Sequence, residues 1–288
     1  MSARDWVLLL ILSTVWGGSF FFAEIALQTL PPFTAVLGRV SIAAVILLII
    51  ARARGAHLPI SGTLIRRYLL LGLISNALPF SLIVWGQTQI PGGLASIINA
   101  MTPIWAVLVG LLIRSDERLT GAKAIGVLLG FAGVAVLIGP DLLRELDPYS
   151  LGQLSVLGAT ICYGFAVHYG RRFGDTPPLV NAAYMLTAAT VWLTPVAVIV
   201  DQPWTLNPGF SGWMALLGLS LLCTSFAYLL YFRILASAGA TNMSLVTFLV
   251  PVSAISLGAI FLGERLSPTA FAGMGILFVG LAVIDGRL

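Results

Sequence analysis

Apolar side chains run almost unbroken along this chain, and short clusters of Gly, Pro and charge cut them into ten stretches: 6–28, 33–51, 66–87, 92–113, 121–138, 150–170, 179–200, 211–235, 240–262 and 267–285. Each is near the roughly 20 residues that a helix needs to cross a bilayer. None alternates apolar with polar, as a strand lining a membrane barrel would, and a helix satisfies its own backbone in lipid. The pattern therefore predicts an all-α membrane protein with ten transmembrane helices. The first stretch follows Arg4 like a signal peptide, but it is too long for one and contains Glu24, so it is read as a retained helix.

Composition agrees with this reading. Of 288 residues, 59% are apolar and 9% charged, far from the balance of a soluble domain. Ten crossings use roughly 200 residues and leave only connections. The net charge of +4 acquires a meaning once the cations are placed. With the N-terminus in the cytoplasm, the inner segments hold Arg4, Arg52, Arg54, Arg66, Arg67, Arg114, Arg118, Lys123, Arg171, Arg172, Arg233 and Arg287, while the outer ones hold only Arg144 and Arg265. That split puts both termini in the cytoplasm of a cell whose inner membrane carries the protein. It also makes the basic balance topological, so no nucleic-acid partner is expected.

The two halves echo each other. Pro31-Pro32 corresponds to Pro177-Pro178, Gly18 to Gly164 and Phe80 to Phe226 at an offset of 146; Pro103 corresponds to Pro251 at 148, and Glu117-Arg118-Leu119 to Glu264-Arg265-Leu266 at 147. The ordered series divides the chain into repeats at 1–140 and 141–288. Because five crossings is an odd number, the second copy lies upside down in the membrane. Such inverted repeats are a construction of secondary transporters, with the substrate held between the copies near the midplane.

The five-plus-five layout, the Trp16-Gly17-Gly18-Ser19-Phe20 stretch, Arg39 early in the second span, and Pro103 and Pro251 with their following Glu-Arg-Leu triplets resemble the EamA branch of the drug/metabolite transporter superfamily. The resemblance covers essentially the whole chain, and within that branch it is most like the YddG-type exporters of aromatic amino acids. It implies export of small metabolites through a cavity lined mainly by spans 1, 3, 4, 6, 8 and 9.

Ionisable groups inside spans suggest a role by default. Glu24 and Arg39 flank Pro31-Pro32 seven residues before and after. In an antiparallel hairpin they lie at equal depth, roughly 10 Å from the turn, and are expected to pair, either as a structural ion pair or as a gate. Asn76 with Pro79, Asn99 with Pro103, and Asn242 with Pro251 interrupt spans 3, 4 and 9; proline frees a carbonyl, and the amides offer donors and acceptors suited to an amino acid's charged groups or to a bent helix. Trp16, Phe20, Phe80, Trp85, Trp105, Tyr163, Tyr228 and Tyr231 could wall a site for flat apolar substrates or simply pack, and Gln87 is a further polar candidate. His168 and Tyr169 read as an anchor at the inner interface.

Cys162 and Cys223 lack metal or redox spacing and read as free thiols. Neither a metal nor a cofactor is expected. No GxxxxGK[ST] pattern is present, which removes ATP as the direct driver, and no HExxH or GxSxG pattern supports an intramembrane enzyme. Gly126 and Gly130, with Gly273, Gly275 and Gly280, read as close-packing sites within a monomer or in a dimer. The expected function is a secondary transporter exporting aromatic or other neutral amino acids and related small metabolites by alternating access. The alternative is a nucleotide-sugar or sugar-phosphate carrier, which would need several buried cations.

Overall fold

The computed structural model describes residues 2–57, 61–113, 120–139, 147–174 and 176–286, with the side chains of 240 and 241 left aside. Among these, eight helices are long and apolar enough to cross a membrane: α1 (Ala3–Leu27), α2 (Pro32–Ala53), α3 (Gly62–Gly86), α4 (Gly92–Leu112), α5 (Gly121–Ile138), α6 (Pro148–Phe173), α7 (Pro178–Val200) and α8 (Phe210–Gly239). Two shorter apolar helices follow, α9 (Val246–Leu262) and α10 (Pro268–Ile284). The first Glu-Arg-Leu triplet, 117–119, lies outside the described residues. At the ninth span, Gly239 (φ 79°) separates α8 from a short helical stretch at 240–243, and a turn at 244–245 precedes α9 at Val246.

Helix α1 packs on α9 and α8, and α6 likewise on α4 and α3; α2 meets α8 as α7 meets α3; α2 packs on α7 and α5 on α10. Exchanging the first five helices for the last five converts each contact into another of the set. Two ends of the bundle can be told apart by their polar ties. At one, Asp5 accepts from the Ser237 hydroxyl (2.8 Å), and Ser244 donates to Asp285 (3.0 Å). At the other, Asp201 accepts from the Thr34 amide (2.6 Å) and hydroxyl (3.0 Å), and the Glu264 carboxylate accepts from the amides of Gly92 (3.2 Å) and Gly93 (3.0 Å).

These last two ties have a local cause. Both α2 and α4 start after a proline, which has no side-chain acceptor for the first amides of the helix. Carboxylates from the other half of the chain supply the acceptor and complement the positive end of each helix dipole. Replacing Asp201 or Glu264 by alanine should each cost about 1 kcal/mol, read as a lowered melting temperature in detergent. An unchanged melting temperature would show that water replaces the carboxylate at no cost.

The glycines of α5 and α10 choose between the two packing possibilities. A methyl group built on Gly133 would stand 2.7 Å from the Gly273 carbonyl oxygen, and one on Gly126 would stand 2.6 Å from that of Gly280. Early residues of α5 thus face late residues of α10. The helices are antiparallel at backbone contact, so this glycine seam is used within one chain. Gly275 points elsewhere, with nothing within 4 Å.

Candidate functional site

Helices α3, α4 and α8 depart from α geometry around the site, and these departures build it. In α3, residues Leu73–Ala77 form a π turn just before Pro79; in α8, Gly218–Phe226 does the same at the equivalent place in the second half. A π turn widens the helix by one residue and turns side chains and carbonyls that an α-helix would hide. The Thr224 hydroxyl repairs part of this by donating to the Leu219 carbonyl (2.8 Å), as Ser225 does to Ser220 (2.9 Å). Helix α4 breaks at Ala100–Met101 because Pro103 cannot donate to the Asn99 carbonyl; the Thr102 hydroxyl does so instead (2.9 Å).

Between these irregular helices lies a cavity of about 660 Å³. Trp16 and Phe20 from α1, Phe80 from α3, Tyr163 from α6, and Tyr228, Tyr231 and Phe232 from α8 give it aromatic walls. Trp16 lies against Tyr231 (ring centroids 5.7 Å apart), Tyr231 edge-on to Phe232 (5.2 Å), and Tyr228 stacks on Phe232 (6.0 Å). Helices α2 and α7 contribute as well, through Arg39 and through Asn181 and Met185, beyond the six spans that the resemblance implied. The lining is exposed at Arg171, at the end of the bundle where Asp5 meets Ser237, and buried at Gln87 and Ser96, near Glu264.

Arg39 is the charged group at the heart of this wall, and it is only 8% exposed. Its Nε donates to the Thr224 hydroxyl (2.9 Å) and its Nη2 to Ser19 (3.3 Å), while the guanidinium carbon sits 4.0 Å from the centre of the Phe80 ring. Those bonds occupy two of five donors. Among the described residues no carboxylate pairs with it. A buried cation without a counter-ion is costly, and two neutral hydrogen bonds with one aromatic face offset only part of that cost.

The expected Glu24–Arg39 pair is not formed. Glu24 accepts instead from the Gln87 side chain (3.2 Å), whose amide also donates to the Phe20 carbonyl (2.9 Å). Equal depth in a hairpin fixes height but not azimuth. Ser19, which does meet Arg39, is five residues from Glu24, roughly 140° around the helix. Helices α1 and α2 also splay, each packing chiefly on the opposite half.

Of the other candidates, Trp16, Phe20, Phe80, Gln87, Asn99, Tyr163 and Tyr228 lie on the cavity wall. Asn76 is fully buried behind it, donating to the Tyr228 hydroxyl (3.2 Å) and accepting from Ser75 (2.8 Å). It therefore orients Tyr228 and does not itself reach the cavity. Replacing Asn76 by alanine should weaken substrate half-saturation up to about tenfold, the effect of one hydrogen bond of roughly 1 kcal/mol. A KM unchanged while Tyr228→Phe raises it would remove Asn76 from this role.

Asn242 sits outside the chamber, in the short helical stretch between Gly239 and the turn at 244–245, where it donates to the Ala238 carbonyl (2.9 Å) at the end of α8. His168 is buried rather than interfacial: its Nε2 stands 2.7 Å from the Ala106 carbonyl and ties α6 to α4. Trp85 is exposed on the outer surface, and Trp105 packs edge-on to Phe131. Ser19 and Thr224, the partners of Arg39, were not singled out from sequence. Ser19 lay within the Trp16–Phe20 stretch, and the signal for Thr224 was a polar run, Cys223-Thr224-Ser225, inside an otherwise apolar helix.

Comparison with known proteins adds an independent line. The model of the EamA-like transporter family matches residues 5–139 and again 150–285. The uncharacterized transporter YvbV of Bacillus subtilis (strain 168) is 27% identical, covering 99% of this chain and 92% of its own. The uncharacterized inner membrane transporter YedA of Escherichia coli (strain K12) is 25% identical, covering 96% and 89%. Protein PagO of Salmonella typhimurium (strain LT2) is 24% identical over 96% and 90%. One protein of known crystal structure aligns over 99% of this chain and 98% of its own with a TM-score of 0.69 at 20% identity, which shows a shared fold.

Proposed function

We propose that this chain, which belongs to the EamA-like transporter family, is a secondary exporter of aromatic or other neutral amino acids and related small metabolites, working by alternating access. Its being a multi-pass membrane transporter rests on the family and on the apolar helices. The observation that carries the finer reading is Arg39, a guanidinium buried on an aromatic-walled cavity and without a counter-ion among the described residues. A substrate carboxylate would complete its shell with charge-assisted bonds, and the surrounding rings would take an apolar or aromatic side chain.

Alternating access is supported by the exchange of helix contacts between halves and by the two matches of one family model. Ten crossings in two inverted sets of five would let the halves trade conformations around a fixed site. The end at which Arg171 lines the cavity also carries Arg4, Arg54, Arg66, Arg67 and Arg172, and by the positive-inside rule this supports reading it as cytoplasmic, with both termini there. On this reading the state described is open inward and sealed outward near Gln87.

Counterflow in proteoliposomes across the twenty amino acids, with nucleotide sugars as controls, tests the proposal. Exchange of aromatic and other neutral amino acids is expected. Exchange of nucleotide sugars alone would replace it with the sugar-nucleotide reading.

A further inference from the structure

The charge balance of the chamber bears on which part of a substrate is recognised. Two cations line it, Arg39 within and Arg171 at the exposed end, and among the described residues no Asp or Glu does. The phenols and the Cys223 thiol on the wall are neutral at pH 7. The nearest intramembrane carboxylate, Glu24, stands behind Gln87, and Glu264 is engaged by the amides of Gly92 and Gly93.

Carbonyl acceptors are no better placed for an ammonium. The side-chain oxygens of Gln87 and Asn99 are buried within the wall without a partner and have no surface open to the cavity. One face of the Phe80 ring is already covered by Arg39, and the other rings of the wall offer an ammonium at most a weak cation–π contact in place of an anion. An ammonium entering this chamber thus meets like charge and no anion, whereas a carboxylate meets two guanidinium groups.

We propose that the chamber selects its substrates by the carboxylate and the aromatic body, with the amine unrecognised. Aromatic 2-hydroxy and 2-keto acids are then carried at least as well as the matching amino acids, and amines lacking a carboxylate are not carried. This rests on the exporter reading above, in which Arg39 binds the carboxylate, and it names the substrate class that the same site favours. Removing the amine relieves repulsion from Arg39 and Arg171, which at the effective dielectric of a protein site is worth on the order of tenfold in half-saturation.

The wild-type protein in proteoliposomes provides the test, with counterflow of 3-phenyllactate, phenylpyruvate, phenylalanine and phenethylamine measured side by side. Phenyllactate and phenylpyruvate are expected to half-saturate at or below the concentration for phenylalanine, down to about tenfold below, with no exchange of phenethylamine. Exchange of phenylalanine without the two deaminated acids overturns the proposal and leaves the amino acid exporter standing. Exchange of phenethylamine also overturns it. If none of the four exchanges while nucleotide sugars do, the exporter reading itself fails.

Discussion

Replacing Arg39 with methionine should abolish exchange, by at least about 100-fold, while leaving the apparent melting temperature in detergent unchanged or higher. The loss follows from removing the buried cation on the chamber wall, alone of its kind among the described residues, since a desolvated charge-assisted pair commonly carries about 2–5 kcal/mol of binding. The retained stability follows from the same isolation. Arg39 has two neutral hydrogen-bond partners and a ring, but no ionic partner, and a buried charge in that condition is often better replaced by a packed apolar side chain. Thr224 keeps its bond to the Leu219 carbonyl without it. Arg39→Lys should recover part of the exchange, because the charge returns without the planar fork. A melting temperature that falls in step with transport would reassign Arg39 to the scaffold.

Gly133→Leu should be strongly destabilising, at about 3 kcal/mol or more. Its first carbon would stand 2.7 Å from both the Gly273 carbonyl oxygen and the Leu277 amide nitrogen. Both neighbours are backbone, so no rotamer change relieves the clash, and α5 must move away from α10 along the seam. Gly275→Leu on α10 is the matched control: it meets nothing within 4 Å and should shift stability by no more than about 0.5 kcal/mol. Thermal melting of the purified protein in detergent separates the two. Equal melting temperatures would show that the seam yields.

Much of this architecture was legible because lipid imposes simple rules. Continuous apolar stretches of membrane length gave the helices, and the recurring prolines and glycines gave the kinship of the halves. Legibility ended where azimuth and local helix geometry decide the outcome. Glu24 and Arg39 are equally spaced from the turn, yet they point to Gln87 and Thr224, because spacing along a chain does not encode which neighbours a helix will choose. Asn242 looked like its counterparts Asn76 and Asn99, but the kink at Gly239 ended α8 before it and left its side chain on the Ala238 carbonyl rather than on the chamber wall. The π turns were invisible as such, although Pro79 marked one of them. The trans caps from Asp201 and Glu264 could not be foreseen, because each carboxylate serves a helix more than 150 residues away in the chain.

The Glu264 tie bears on the idle protein. It joins the connection after α9 to the start of α4 beside the buried, Gln87 end of the chamber. Parting those helices would trade two amide–carboxylate bonds for water, a penalty of roughly 1–2 kcal/mol. If the chain works by alternating access with this end outward, as proposed above, then at about 1.4 kcal/mol per decade the tie skews the empty carrier about tenfold toward a shut exterior, so leakage against a gradient is resisted at rest and cargo must repay the difference on each outward stroke.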